Sequence, residues 1–431
     1  MNAAADRGTS QSVDESLSTQ STSATPAPAP TATGASAEQA VYATSTSRTT
    51  ATTPDLLRNR FDAREWAGAF GDLGTLIPFV VGYIAVAGMD PFGVLLAFGA
   101  ALVFTGFFYR TPMPVQPMKA IGAIATAQGT ALALTPATIA GAGLITGLLW
   151  LALGMSGLAQ RLARLVTRPV TAGVILGLGL LLSWQALNFI ATNWLLGAVA
   201  AAVTMVLLRV LPLAAMPALL LSGVVAAFWM DPTLVGALAQ IEPGLHSPVF
   251  ALAGISWNEF GVAALALALP QVPLTLGNGL IAVTSEHNRL FPGRPQTQRT
   301  VSLTTGAINI GSSLIGGVPM CHGAGGLAGH VRFGARTGGA PVMLGGLLLG
   351  LALFFSDSVA TLFRLFPTPI LGVILLAAGI ELMRGAGRPQ GERGARLTML
   401  ATAALCLWHV GLAFLVGLAL QFVFRLPRPG Q

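Results

Sequence analysis

Apolar residues recur in long blocks from Trp66 to Phe424, separated by short polar junctions. Many blocks approach the roughly 20 residues a helix needs to span a bilayer. A coarse hydropathy reading predicts spans at 66–88, 90–109, 112–128, 134–158, 167–190, 193–210 and 212–230. It predicts a second set at 259–284, 299–316, 318–330, 340–356, 363–385, 395–408 and 409–425. The expected fold is therefore an all-α polytopic membrane protein with about 14 transmembrane segments, seven in residues 62–230 and seven in 259–425. Residues 231–258 form an extracytoplasmic connection. Residues 1–56 are rich in Ser, Thr, Ala and Pro without an apolar run, a composition that predicts a disordered cytoplasmic tail. Residues 426–431 form a second, short one.

Composition strengthens this reading. The chain is 53% hydrophobic and 9% charged, with a mean hydropathy of +0.72; soluble domains carry about 25% charged residues. The net charge of +7 invites a nucleic-acid reading, but the arginines are scattered among short loops and are better read as topology determinants. With the N-terminus inside, Arg58, Arg60 and Arg64 precede the first span. Alternate loops then carry Arg110, Arg161, Arg164 and Arg168, Arg209, Arg289, Arg294 and Arg299, Arg332 and Arg336, and Arg384 to Arg396. The intervening loops are nearly free of basic residues; Arg364 is the one poor fit. Both termini are thus expected in the cytoplasm of a cell whose inner membrane holds the protein. Cys321 and Cys406 imply no disulfide framework.

Two apolar blocks are broken by unusual backbone chemistry. "TPMPVQPMKAIGAIA" (Thr111–Ala125) has three prolines in six residues and then Lys119, the only lysine in the chain. Pro112 and Pro114 favour extended geometry before them, and Pro117 suits the first turn of a new helix. A short helix over 117–128 is predicted. "VPMCHGAGGL" (Val318–Leu327) is a similar break, offset by 205 residues between Pro114 and Pro319. "DLGTLIP" and "TLGNGLI" repeat at an offset of 203 between Leu73 and Leu276. Seven spans per repeat force the second repeat to enter from the opposite side. Inverted repeats with interrupted helices place a transporter's substrate site near the midplane.

Two half helices, the third and tenth spans, are then expected to meet end to end. Each N-terminus offers free amides and about half a positive charge, and Lys119 adds a full one. The arrangement suits an anion with several acceptor oxygens. Gln116, Thr75, Asn278 and His322 are candidate neutral donors; Met118, Cys321, Gly323 and Ala324 belong to the two breaks and complete the candidate binding set. Asp72 is the only acid placed within the first span, a partner for Lys119 or a proton carrier, and His322 is a second candidate for coupling. No catalytic residue, cofactor or resident metal is expected. A metal-dependent enzyme built on Cys321, His322 and His330 is a distinct alternative, as is a passive anion channel.

The segments "GDLGTLIP" (Gly71–Pro78), "PMPVQPMKAI" (Pro112–Ile121) and "PMCHGAGGLAGHVRFGARTG" (Pro319–Gly338) resemble the molybdate transporter family related to sulfate permeases. The resemblance spans about residues 62–425. It implies molybdate uptake, a seven-plus-seven inverted repeat divided into core and gate domains, and half helices meeting at the substrate. The core would hold spans one to four and eight to eleven. Sulfate permeases usually carry a STAS domain after the last span; none follows Phe424 here, as in the molybdate-type branch. Related symporters often hold an acid in the eighth span, where Thr275 and Asn278 stand here. Sulfate, or a broader set of oxyanions, is the nearest alternative substrate, and related folds are often dimers.

Overall fold

The computed structural model describes residues 58–159, 168–210, 215–247, 250–359, 361, 365, 367–387 and 393–425. For some of these, Asp72, Thr75 and Glu381 among them, only the backbone is described. The expected tails at 1–56 and 426–431 lie outside the described residues, as do Arg161, Arg164, Arg364 and Arg388.

The described chain is almost wholly helical. The order is α1 (Ala63–Ala69), a 3-10 turn (Phe70–Asp72), α2 (Leu73–Val81), α3 (Pro91–Tyr109), β1 (Gln116–Pro117), α4 (Lys119–Gln128), α5 (Pro136–Ser156), α6 (Arg168–Ala191), α7 (Trp194–Val210), α8 (Ala215–Met230) and α9 (Leu234–Ala239). A continuous helix α10 follows (Trp257–Leu290), then α11 (Gln298–Leu314), β2 (Met320–Cys321), α12 (Ala324–Arg332), α13 (Gly339–Phe355), α14 (Thr368–Gly385), α15 (Arg393–Cys406) and α16 (Val410–Arg425). Among the described residues, six helices are long and apolar enough to cross a membrane: α3, α5, α6, α10, α13 with its extension to Ser358, and α14. Large apolar side chains such as Trp184, Leu195, Val206 and Trp229 face outward, as expected of surfaces solvated by lipid.

Local sequence explains where these helices start. The Asp90 carboxylate accepts the Phe92 N–H at 3.3 Å, and Pro91 occupies the first turn, where no donor is needed. Thr135 and Thr138 bond reciprocally before Pro136, and Ser256 with Glu259 forms the same kind of box at the start of α10. Two features depart from the sequence reading. The helix expected over 117–128 begins at Lys119, because Gln116 and Pro117 are drawn into a strand. The eighth span, expected at 259–284, continues to Leu290 and contains two π-helical stretches, Ala263–Ala268 and Thr275–Ala282. They flank Pro270 and Pro273, which cannot donate to the helical ladder. Glu286, two residues past the expected end of that span, therefore sits on the helix, where it accepts the Arg289 Nε–H at 2.9 Å.

Three helix pairs carry the most extensive packing: α3 with α13, α5 with α11, and α6 with α14. Each crosses at a pair of glycines. A Cβ on Gly345 would lie 2.7 Å from Gly99 O, one on Gly306 2.9 Å from Gly147 O, and one on Gly379 3.0 Å from Gly179 O. In a lipid-solvated protein no water drives helices together, so close backbone approach at small residues supplies the packing. The first described residues are held against later ones. The fully buried Glu65 carboxylate accepts the backbone N–H of Arg336 at 2.9 Å and of Thr337 at 3.0 Å, and Asn59 Nδ2 donates to Gly106 O at 3.1 Å.

Gly345→Leu is expected to lower the melting temperature of the detergent-solubilised protein, by an overpacking cost of about 1–3 kcal/mol. Gly346→Ala, one residue away with nothing within 4 Å of the added carbon, is expected to leave it unchanged.

Candidate functional site

The two backbone breaks meet. β1 and β2 form an antiparallel pair, with Gln116 opposite Cys321 and Pro117 opposite Met320. The Met118 N–H donates to Pro319 O at 2.9 Å. From this pair α4 and α12 lead away with ten and nine residues, about 15 and 14 Å at 1.5 Å per residue.

Extended backbone inside an apolar body needs a partner for each polar group, and side chains from neighbouring helices provide them. Asn309 of α11 accepts the Met320 N–H at 2.8 Å and donates to Met320 O at 2.5 Å. Ser312 donates to Val318 O at 2.7 Å. His322 spans the two breaks: its Nδ1 lies 2.8 Å from Pro114 O and its Nε2 3.0 Å from Thr304 Oγ1, which in turn lies 2.6 Å from the Tyr109 hydroxyl. A carbonyl only accepts, so Nδ1 carries the proton and Nε2 accepts from Thr304. Both ring nitrogens are thereby engaged, and the ring is fully buried.

A cavity of about 590 Å³ opens beside the junction. Lys119, Asn278, Cys321 and Gly325 line one wall with Phe79 and Gln271. Thr171 and Ile175 of α6, with Ala378, Leu382 and Arg384 of α14, line the other. Gln116 is buried beside it: a Cβ on Gly323 would strike Gln116 Oε1 and would lie 3.1 Å from Asn278 Nδ2. Lys119, Gln116, Asn278, Cys321 and Gly323 are thus brought together. Met118 is fully buried as the N-cap of α4, Ala324 is half-buried at the first position of α12, and His322 stands behind the junction. Asp72 and Thr75 are placed by backbone alone, at the end of the 3-10 turn and in α2. Their side chains lie outside those described.

Neither N-cap residue, Met118 or Gly323, makes a side-chain capping bond. One amide of α4 is nevertheless taken. Gln271 accepts the Ala120 N–H at 2.8 Å and donates through Nε2 to Thr275 Oγ1 at 2.9 Å. Sequence reasoning missed Gln271, although an amide between two prolines in an apolar run is a visible signal. It missed Asn309 and Thr304 for the same reason: their polarity was averaged away within an apolar span. Among the described residues no three His, Cys, Asp or Glu side chains gather as a metal would need.

The fold is shared with solved helical membrane proteins. The transmembrane domain of a cyanobacterial bicarbonate transporter, BicA, matches over 83% of this chain and 96% of its own, with a TM-score of 0.59 at 18% identity. Murine Slc26a9, an anion transporter in an inward-facing state, matches over 86% of this chain and 69% of its own, with a TM-score of 0.62 at 13% identity. Sequence narrows the class. The model of a family described as "Molybdate transporter of MFS superfamily" matches residues 64–182 and 263–382. "Molybdate transporter 2" of Arabidopsis thaliana is 32% identical over 415 residues, covering 84% of this chain and 87% of the relative. "Molybdate transporter 1" of Chlamydomonas reinhardtii is 30% identical, covering 82% and 90%. The chain belongs to the molybdate transporter family, whose members are transporters and not enzymes.

Gln271→Ala leaves the Ala120 amide without its partner. The expected loss is about 1–3 kcal/mol, read as a lower melting temperature in detergent; an unchanged melting temperature contradicts the assigned role.

Proposed function

We propose that this protein carries molybdate across the inner membrane into the cytoplasm by alternating access. The carrying observation is the cavity beside the paired breaks, lined by Lys119, Asn278, Cys321 and Gly325 where α4 and α12 begin, in a chain whose relatives are named molybdate transporters. Molybdate is a tetrahedral dianion. Lys119 and two helix ends offer roughly +2 of local charge, and Asn278 adds a neutral donor. The absence of a side chain on Gly323 leaves room for Gln116 and Asn278 to approach the same point. Gln116, Met118, Cys321, Gly323 and Ala324 shape the seat, and Thr75 is assigned to it by position on α2. His322 braces the junction through both ring nitrogens rather than ligating the anion.

The same reading extends to the whole chain. The three glycine crossings pair spans two with eleven, four with nine, and five with twelve. An inverted repeat exchanges the first two pairs and maps the third onto itself, which supports fourteen crossings arranged seven plus seven, with α4 and α12 as half helices at mid-membrane. Residues 62–230 and 259–425 are then the two repeats, joined by 231–258 outside, with both termini cytoplasmic. α6 and α14 belong to the gate and α4, α10 and α12 to the core, so the cavity lies on the sliding surface between them. A homodimer is the expected assembly.

A dianion entering against an inside-negative potential of about 100 mV faces roughly 4.6 kcal/mol. A coupled proton would lower that cost, and Asp72 in the first span is the coupling group this reading favours. Sulfate shares the charge and shape of molybdate and remains the alternative cargo; competition of radiolabelled molybdate uptake by excess sulfate separates them. Saturable, concentrative uptake excludes a passive channel.

Lys119→Ala is expected to weaken molybdate binding by about 10- to 100-fold, the loss of a charged hydrogen bond of roughly 1.5–3 kcal/mol, while the variant still reaches the membrane. Binding of unchanged strength by that variant defeats the site assignment.

A further inference from the structure

The cavity beside the junction is lined by a second cation besides Lys119. Lys119 is half-buried at the first position of α4. Arg384 is exposed in the last turn of α14 and lines the same cavity. Among the described residues that line it there is no Asp or Glu. A cleft lined by one sign of charge between apolar walls concentrates ions of the opposite sign.

The lining of three helices gives the direction in which the cavity runs. On α6 it is Thr171 and Ile175, in the first two turns of a helix that starts at Arg168. On α14 it is Ala378 to Gly385, the last two turns, about 10 Å at 1.5 Å per residue. On α10 it begins near the middle, at Gln271, and ends at Ala282, toward the end that carries Arg289. In each case the lining lies toward the arginine-bearing end of the helix: Arg161, Arg164 and Arg168 at the start of α6, Arg384 and Arg393 at and after the end of α14, Arg289 and Arg294 at the end of α10. With both termini cytoplasmic, as proposed, these ends face the cytoplasm. The change from half-buried Lys119 to exposed Arg384 follows the same direction.

We propose that Arg384 is an anion-binding residue of the transport path, set at the cytoplasmic mouth of the cavity, where it receives the oxyanion from Lys119. This rests on the oxyanion-transport reading and adds to it the residue from which the anion is released. Lys119 belongs to α4 and Arg384 to α14, so the two cations come from opposite walls. A dianion drawn away from Lys119 inside an apolar cavity would be costly without a second charge to move toward. Arg384 supplies that charge, and its exposure lets water and salt screen it, so the anion is held loosely enough to leave. Because α14 and α4 shift against each other in alternating access, Arg384 serves the anion on the cytoplasmic side and not on the opposite one.

The test titrates molybdate into purified full-length protein at about 10 mM and about 1 M sodium chloride, where charges are screened over about 30 and 3 Å. Arg384→Gln is expected to weaken binding about fivefold at low salt, the upper end for an exposed charge, and to match the wild type at high salt. Arg384→Lys, which keeps the charge, is expected to bind within about twofold of the wild type at both. Unchanged binding by Arg384→Gln at low salt overturns the proposal. So does a loss of equal size at both salt concentrations, or one that Arg384→Lys shares in full, since either marks a structural role. In vesicles of known orientation, the weakening is expected for molybdate offered at the cytoplasmic face; equal weakening from both faces overturns the placement at the mouth. Failure of the purified wild type to bind molybdate at all would instead overturn the transport reading.

Discussion

The antiparallel pair between Gln116–Pro117 and Met320–Cys321 is the constraint on which the rest depends. Helices normally satisfy their own backbone, so a chain that abandons helix in an apolar interior must find partners elsewhere. Here each break partners the other, and the Met118 N–H reaches Pro319 O across the junction. At the start of each helix neither N-cap residue, Met118 or Gly323, makes a side-chain capping bond, and Gln271 takes the Ala120 amide of α4. Polar groups that would be a liability in a continuous span are the ones that the proposed anion site would use.

Neighbouring helices fix that junction through single polar side chains. Asn309 and Ser312 bind the second break, Gln271 the start of α4, and His322 joins both breaks to Thr304 and Tyr109. Such bonds average about 0.6 kcal/mol each in membrane proteins. Their value here lies in geometry rather than in the sum: they hold Lys119, Asn278 and Gly323 at one cavity while the glycine crossings lock the surrounding helices. The opposite wall belongs to α6 and α14, which pack mainly on each other through Gly179 and Gly379. The cavity is thus lined from both groups of helices, the arrangement on which the proposed alternating access rests.

Much of this was legible in the sequence because prolines and glycines act locally. Pro112, Pro114 and Pro319 mark the breaks whatever surrounds them, and the lone lysine beside one of them marks the charge. The repeat offsets near 204 residues anticipated that the breaks would correspond. The strand pairing was not legible, since register across more than 200 residues depends on packing. It moved the start of α4 from Pro117 to Lys119. The π-helical turns of α10 escaped for a related reason, because periodicity hardly distinguishes them from α-helix in an apolar run. His322 was read as a neutral hydrogen-bond donor and a coupling candidate; its contacts with Pro114 O and Thr304 Oγ1 depend on packing that the sequence does not reveal. Buried polar residues such as Gln271 and Asn309 deserved more weight than an averaged hydropathy gives them.

The most direct measurement is a structure of the protein with molybdate bound, with the molybdenum located by its anomalous scattering. The account predicts one strong peak at the junction, between Lys119 and the first amides of α4 and α12, within reach of Asn278. A peak elsewhere at saturating molybdate, or none at the junction, would contradict it.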